Sequence, residues 1–94
     1  MGGVLLAMTA RIPVSGVAAF QDYEAQVLPL LGHHDGALQR RLRNADGTIE
    51  MHLVHFKSRD GFDGFRNDPR RTAAAQLLAA SGAVNELIED SDVE

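Results

Sequence analysis

Ninety-four residues, 45% of them hydrophobic and 23% charged, suffice for one domain with a modest core, because a chain this size buries only about 60–70% of its unfolded surface. The absence of cysteine leaves packing or a partner subunit to hold the chain together and excludes a cysteine-based zinc cluster. A net charge of −4 argues against nucleic acid as a partner, and the basic run Arg40, Arg41, Arg43 lacks interleaved aromatics and is expected on a solvated strand face.

The opening MGGVLLAM has no positive n-region and too short an apolar run for a signal peptide, and Leu6 stands where a myristoylation signal wants Ser or Thr. No apolar stretch approaches the roughly 20 residues of a membrane span. The expectation is a cytoplasmic protein with no membrane partner, one domain over residues 1–94 with its core at about 4–89.

Val4 to Ile12 reads as a first strand, with Val4, Leu6, Met8, Ala10 and Ile12 on one face and Leu5, Ala7, Thr9 and Arg11 on the other. Both faces are largely apolar, which places it centrally in a sheet, and Pro13 closes it. Ser15 suits an N-cap for a helix from Gly16 to about Leu31, with Phe20, Tyr23, Val27, Leu30 and Leu31 facing the core. Pro29 should kink that helix or tighten its last turn, and Gly36 suits a positive-φ position after it.

Ala37 to Arg43 alternates Leu38, Arg40, Leu42 against Gln39, Arg41, Arg43 and reads as an edge strand. Asn44-Ala45-Asp46-Gly47 is a hairpin turn leading into Ile49 to Phe56. This strand carries Ile49, Met51 and Leu53 on one face and Glu50, His52, Val54 and Phe56 on the other, so it too is central. Ser58 can cap a short helix bearing Phe62 and Phe65, which Gly61 and Gly64 weaken by about 1 kcal/mol each. Asp68-Pro69 starts another helix, with Ala73, Leu77 and Ala80 facing the core until Ser81-Gly82. Ala83 to Glu89 is a last short strand, followed by an acidic end expected to fray.

The order β-α-β-β-α-β with two central strands and one edge suits an α+β, ferredoxin-like four-stranded antiparallel sheet with helices on one face. Its other face carries Ile49, Met51 and Leu53, too apolar for water, so a homodimer joined sheet to sheet is expected.

The segments FQDYEAQVLPLLGHHDGAL, HFKSRDGFDGF and NDPRR resemble the small dimeric α/β-barrel superfamily, above all NIPSNAP-type proteins and then antibiotic-biosynthesis monooxygenases. The resemblance spans roughly Val4 to Ile88, and it implies two such sheets forming a dimeric barrel. Members include cofactor-independent monooxygenases, isomerases, haem-handling enzymes and proteins of unknown role, so fold alone says little about chemistry. The haem-degrading branch places a tryptophan on the strand Ile49 to Phe56, an asparagine on the first strand and a histidine on the second helix. This chain has none of these, and Phe56 stands in the tryptophan's place, which argues against haem.

Four histidines invite a metal, but His52 and His55 are three apart on a strand and point to opposite faces, while His33 and His34 share a turn. No metal and no cofactor are expected. His52 shares the sheet–helix side with Glu50, Val54 and Phe56; it is either a general base in a cleft or a half-buried histidine bonded to Glu50 or a helix residue. His55 is an interface residue or lines a barrel pocket. Tyr23 either brings its hydroxyl to the same cleft or is a core aromatic, and Arg11 either pairs a substrate carboxylate or forms a surface ion pair. Val54, Phe56, Phe62, Phe65 and Glu50 are the candidate lining of a site for a small, largely apolar molecule. Two readings stay open: a cofactor-independent, monooxygenase-type enzyme with His52, Tyr23 and Arg11 as its polar groups, and a non-catalytic ligand-binding or structural dimer module.

Overall fold

A computed structural model describes residues 3–91. The elements are β1 (Val4–Arg11), α1 (Val17–Val27), β2 (Gly36–Arg43), β3 (Ile49–Phe56), α2 (Arg59–Arg66), α3 (Pro69–Ser81) and β4 (Val84–Asp90). The strands form one antiparallel sheet in the order β2-β3-β1-β4, so the two strands with apolar residues on both faces occupy the centre, as their composition demands. This is the ferredoxin-like arrangement, with the second helical region divided into α2 and α3. No helix of the described residues is long and apolar enough to cross a membrane. The expectations for Met1 and Gly2, and for the frayed acidic end beyond Ser91, lie outside the described residues.

Register assigns the faces. Val4 pairs with Phe56, Leu6 with Val54, Met8 with His52 and Ala10 with Glu50, and this set lies under the helices. One buried cluster there joins Val4, Leu6, Leu31, Val54, Phe56 and Phe62; a second joins Ala10, Ile12 and Phe20. The opposite face carries Ile49, Met51 and Leu53 of β3 with Leu42 of β2 and Val84 and Ile88 of β4. No helix reaches it, and Met51 is 46% exposed.

Several local expectations need correction. Ser15 caps nothing: a short 3₁₀ turn, Val14–Gly16, precedes α1, and neither is capped by a side chain. Gly16 is required there because any Cβ would run into the Ser81 backbone at the end of α3. Pro29, lacking an N–H, does tighten the end of the first helix, which continues from Leu28 to His34 as 3₁₀. The positive φ falls on Asp35, at 57°, not on Gly36. Gly36 is needed for another reason, since a Cβ would sit 2.6 Å from the Phe56 ring. In α3 the inward face is Ala74, Leu78 and Ser81; Ala73 and Ala80 are exposed.

The edge strand departs most. Leu38 pairs with Val54 but Arg40 with Leu53, so Gln39 is an extra residue and the strand bulges. Beyond it the alternation is inverted. Arg41 and Arg43 turn toward the helix side opposite His52 and Glu50, while Leu42 lies on the open face against Met51. The expected solvated arginine face is therefore an ion-pairing face.

Other signals act as read. Ser58 Oγ accepts from the Gly61 N–H at 3.0 Å, and Asp68 Oδ1 accepts from the Arg70 N–H at 2.8 Å with Pro69 at the first helical position. Gly61 and Gly64 weaken α2 in isolation but let it approach His34 closely: a Cβ on Gly64 would lie 2.9 Å from His34 Nδ1. His34 Nε2 in turn lies 2.8 Å from Asp68 Oδ2, joining the end of the first helical region to the start of α3.

Candidate functional site

Between the sheet and the helical layer lies a cavity of about 210 Å³. Leu6, Met8, His52, Val54 and Phe56 form its floor from β1 and β3; Phe20, Tyr23, Glu24, Val27 and Leu31 face them from the first helical region. Phe62 and Phe65 of α2 close one side, and their rings stand 5.5 and 5.6 Å from Phe56 at tilted angles. Arg66, Asn85 and Leu87 also line it and are exposed, so the mouth lies over β4 and the end of α2.

His52 brings polarity to this floor. Its Nε2 lies 2.7 Å from Glu50 Oε1 and 2.9 Å from Glu24 Oε2, and all three residues are buried. Nε2 thus sits between the two carboxylates, with the shorter contact to Glu50. Two guanidinium groups brace the carboxylates. Arg41 donates to Glu50 at 2.7 Å and to Glu24 at 3.1 Å, and Arg43 donates to Glu50 at 2.9 Å. Nδ1 of His52 is used by neither carboxylate.

The proton affinities follow from this crowding. Burial disfavours charge on Glu50, but hydrogen bonds from Glu24, His52, Arg41 and Arg43 outweigh it and hold Glu50 well below the usual carboxylate range. Burial pushes Glu24 up, and the neighbouring Glu50 pushes it further against the counter-effect of His52. Burial also disfavours the imidazolium of His52, yet its bonds to Glu24 and Glu50 prevail and raise its pKa. The cluster thus shares its protons: Glu50 stays ionised, while Glu24 and His52 hold theirs to higher pH.

Glu24, Glu50 and His52 are also a converging set of metal-type ligands, with donor atoms within 4.8 Å of one another. The expectation that no such set converges counted only histidines. Both carboxylates, however, already serve Arg41 or Arg43, and a cation there would displace the His52 proton beside two guanidinium groups.

Of the residues singled out from sequence, His52, Tyr23, Val54, Phe56, Phe62 and Phe65 come together on the cavity. Glu50 does not line it; it stands behind His52 and orients the ring. Arg11 is not brought to the site, because it projects to the open face near Thr9, Val84 and Glu86. Sequence reasoning missed Glu24, although a carboxylate midway between Phe20 and Val27 on a core-facing stripe is itself a signal. It also missed Arg41 and Arg43, because the bulge hides their direction.

No family model matches the sequence, and no curated protein matches it. Solved structures do. SnoaB from Streptomyces nogalater, described as a cofactor-independent oxygenase, superposes with a TM-score of 0.79 at 16% identity, covering 100% of this chain and 96% of that one. The chain shares the fold of that protein. A candidate antibiotic biosynthesis monooxygenase from Nitrosomonas europaea gives 0.79 at 11% identity over 97% of this chain and 99% of its own. A NIPSNAP family protein of unknown function from Agrobacterium tumefaciens gives 0.64 at 16% identity, covering 99% and 92%. At these identities the likeness is one of fold, and the chemistry must be argued from the cavity.

Proposed function

We propose that this chain binds a small, largely apolar molecule in the sheet–helix cavity and that His52 takes a proton from it, as in a cofactor-independent monooxygenase. The observation that carries this reading is a histidine whose Nε2 is fixed on a buried, ionised carboxylate at the floor of an apolar cavity. That is the bracing a general base needs: the carboxylate orients the ring and stabilises the charge it acquires, while the other nitrogen meets the substrate. An acidic CH₂ group would lose its proton to Nδ1; the carbanion would reduce dioxygen, the co-reactant, and add it; loss of water from the hydroperoxide would leave a ketone. The apolar walls keep water from competing for the carbanion.

Oxygen uptake with planar aromatic substrates bearing an acidic CH₂ tests this. His52→Ala should abolish uptake while leaving ligand affinity within a few-fold. Uptake that survives His52→Ala removes the base from the proposal. Because the raised His52 pKa leaves less of the neutral base at lower pH, the rate should climb with pH through that value.

One observation favours a second reading, a binding module without turnover: the same two carboxylates hold His52 in its charged form, which suits attraction better than proton abstraction. Ligand binding without oxygen uptake at any pH would select it. In both readings the partner is a second copy of the chain covering the open sheet face, which exposes Leu42, Met51, Val84 and Ile88.

A further inference from the structure

At the cavity mouth Arg71 stands out among the described residues. It is the second arginine of α3, and its neighbour Arg70 spends its guanidinium on Asp68, with contacts of 3.0 and 2.8 Å. Arg71 instead turns toward the cavity, its guanidinium carbon 5.4 Å from the centre of the Phe65 ring. One nitrogen donates to the Arg66 carbonyl at 3.2 Å; Nε is buried with no hydrogen-bond partner; no described carboxylate forms an ion pair with it. A guanidinium that lines an apolar cavity without a carboxylate partner among the described residues is a charge free to pair with an anionic ligand.

The surroundings fix the sign of that ligand. Arg66 stands at the same mouth, 4.6 Å from the Phe62 ring, and its carboxylate partner among the described residues, Asp63, is partly exposed. The carboxylates of Glu24 and Glu50 are already engaged with Arg41, Arg43 and His52. Arg66 and Arg71 bias the mouth toward an anion, each guanidinium set over an aromatic ring.

We infer that the cavity takes an apolar molecule bearing a carboxylate, held at the mouth by Arg71, with the ring system against Phe56, Phe62 and Phe65. This rests on the cavity being a ligand site, as proposed above, and adds the class of ligand. Guanidinium binds carboxylate through two parallel N–H···O bonds, and the two terminal nitrogens of Arg71 are one such pair of donors.

Calorimetric titration with two probes of equal size, 2-naphthoate and the neutral 2-naphthylmethanol, separates the claims. The wild-type protein should bind naphthoate at least about 10-fold more tightly than the alcohol, the gain expected of a charge-assisted hydrogen-bond pair. Arg71→Met should remove that preference and leave the alcohol within about 2-fold. Arg71→Lys, which keeps charge but not the fork, should restore part of the preference, and a stability measurement on both variants shows that the fold is intact. If the alcohol binds and naphthoate gains nothing, the cavity reading stands and the anion inference falls. The inference also falls if Arg71→Met weakens both probes alike. If neither probe binds, the cavity reading falls and takes the inference with it.

Discussion

The two faces of β3 invert the usual order of inside and outside. Glu50 and His52, under the helices, are 0% and 5% exposed; Met51, between them in sequence, is 46% exposed. Charged side chains are seldom fully buried unless paired, and scattered exposed apolar residues need no comment. Here the buried charges are paired with Arg41 and Arg43, and four of the exposed apolar residues, Leu42, Met51, Val84 and Ile88, share one face across β2, β3 and β4. The covered face spends stability on a polar cluster, which packing alone would not select. The open face withholds apolar area that a partner can use. Each face is anomalous for a folding unit and ordinary for a working one.

The sharpest way to break this contrast is Glu50→Ala. It leaves two guanidinium groups and His52 facing an empty site and should cost about 3 kcal/mol in urea unfolding, the low end for a broken buried pair because the arginines can swing to water. A loss under about 1 kcal/mol would mean that the cluster is no more than a surface network. On the other face, Met51→Lys should shift sedimentation from about twice 10.2 kDa to 10.2 kDa at micromolar concentration. The dimer should weaken by about 100-fold or more, because an unpaired charge is buried between apolar sheets. A wild-type chain that sediments as a monomer refutes the pairing outright.

Titration distinguishes the faces more gently. His52, raised above its ordinary 6.5, contributes stability that is complete below that value and is lost as pH rises through its folded pKa. Glu24, raised above 4.5, acts in the same direction. Glu50, depressed, contributes stability that is present above 4.5 and is lost only as pH falls far below it. Stability should therefore decline from about pH 5 toward alkaline pH, and His52→Gln should flatten that limb. An unchanged limb in the variant would place the titrating group elsewhere. The smallest effect belongs to Ile88→Ser on β4, which should change the stability of the chain itself by less than about 0.5 kcal/mol while loosening the dimer.

The contrast itself was legible in the sequence, because β3 alternates with period 2 and each of its side chains declares a face. β1 was legible for the same reason, and Asp68-Pro69 and Ser58 announced their helices by cap chemistry that tertiary contacts do not override. The polar cluster was only half legible. Glu50 and His52 share a strand, but their partner Glu24 sits in a helix whose stripe of Phe20, Tyr23 and Val27 signals an apolar core. Arg41 and Arg43 lie beyond a bulge in a run, QRRLR, with one apolar residue to mark the phase, and one residue is too few to show that the phase has slipped. In α3 the alanines before and after the true face are chemically alike, so the sequence does not settle the rotation of the helix to within one residue.

The bulge at Gln39 also sets which length changes in β2 can be inherited. Loss of Gln39 removes the odd residue and leaves Leu38 and Arg40 on the partners they already have, so both arginines keep their aim at Glu50. Loss of Leu42 instead moves Arg43 into an outward position, taking a cation from the cluster and setting it on the open apolar face. A one-residue gap is thus near-silent at one end of this strand and doubly harmful at the other, and related sequences that have drifted in length should carry their gaps at Gln39.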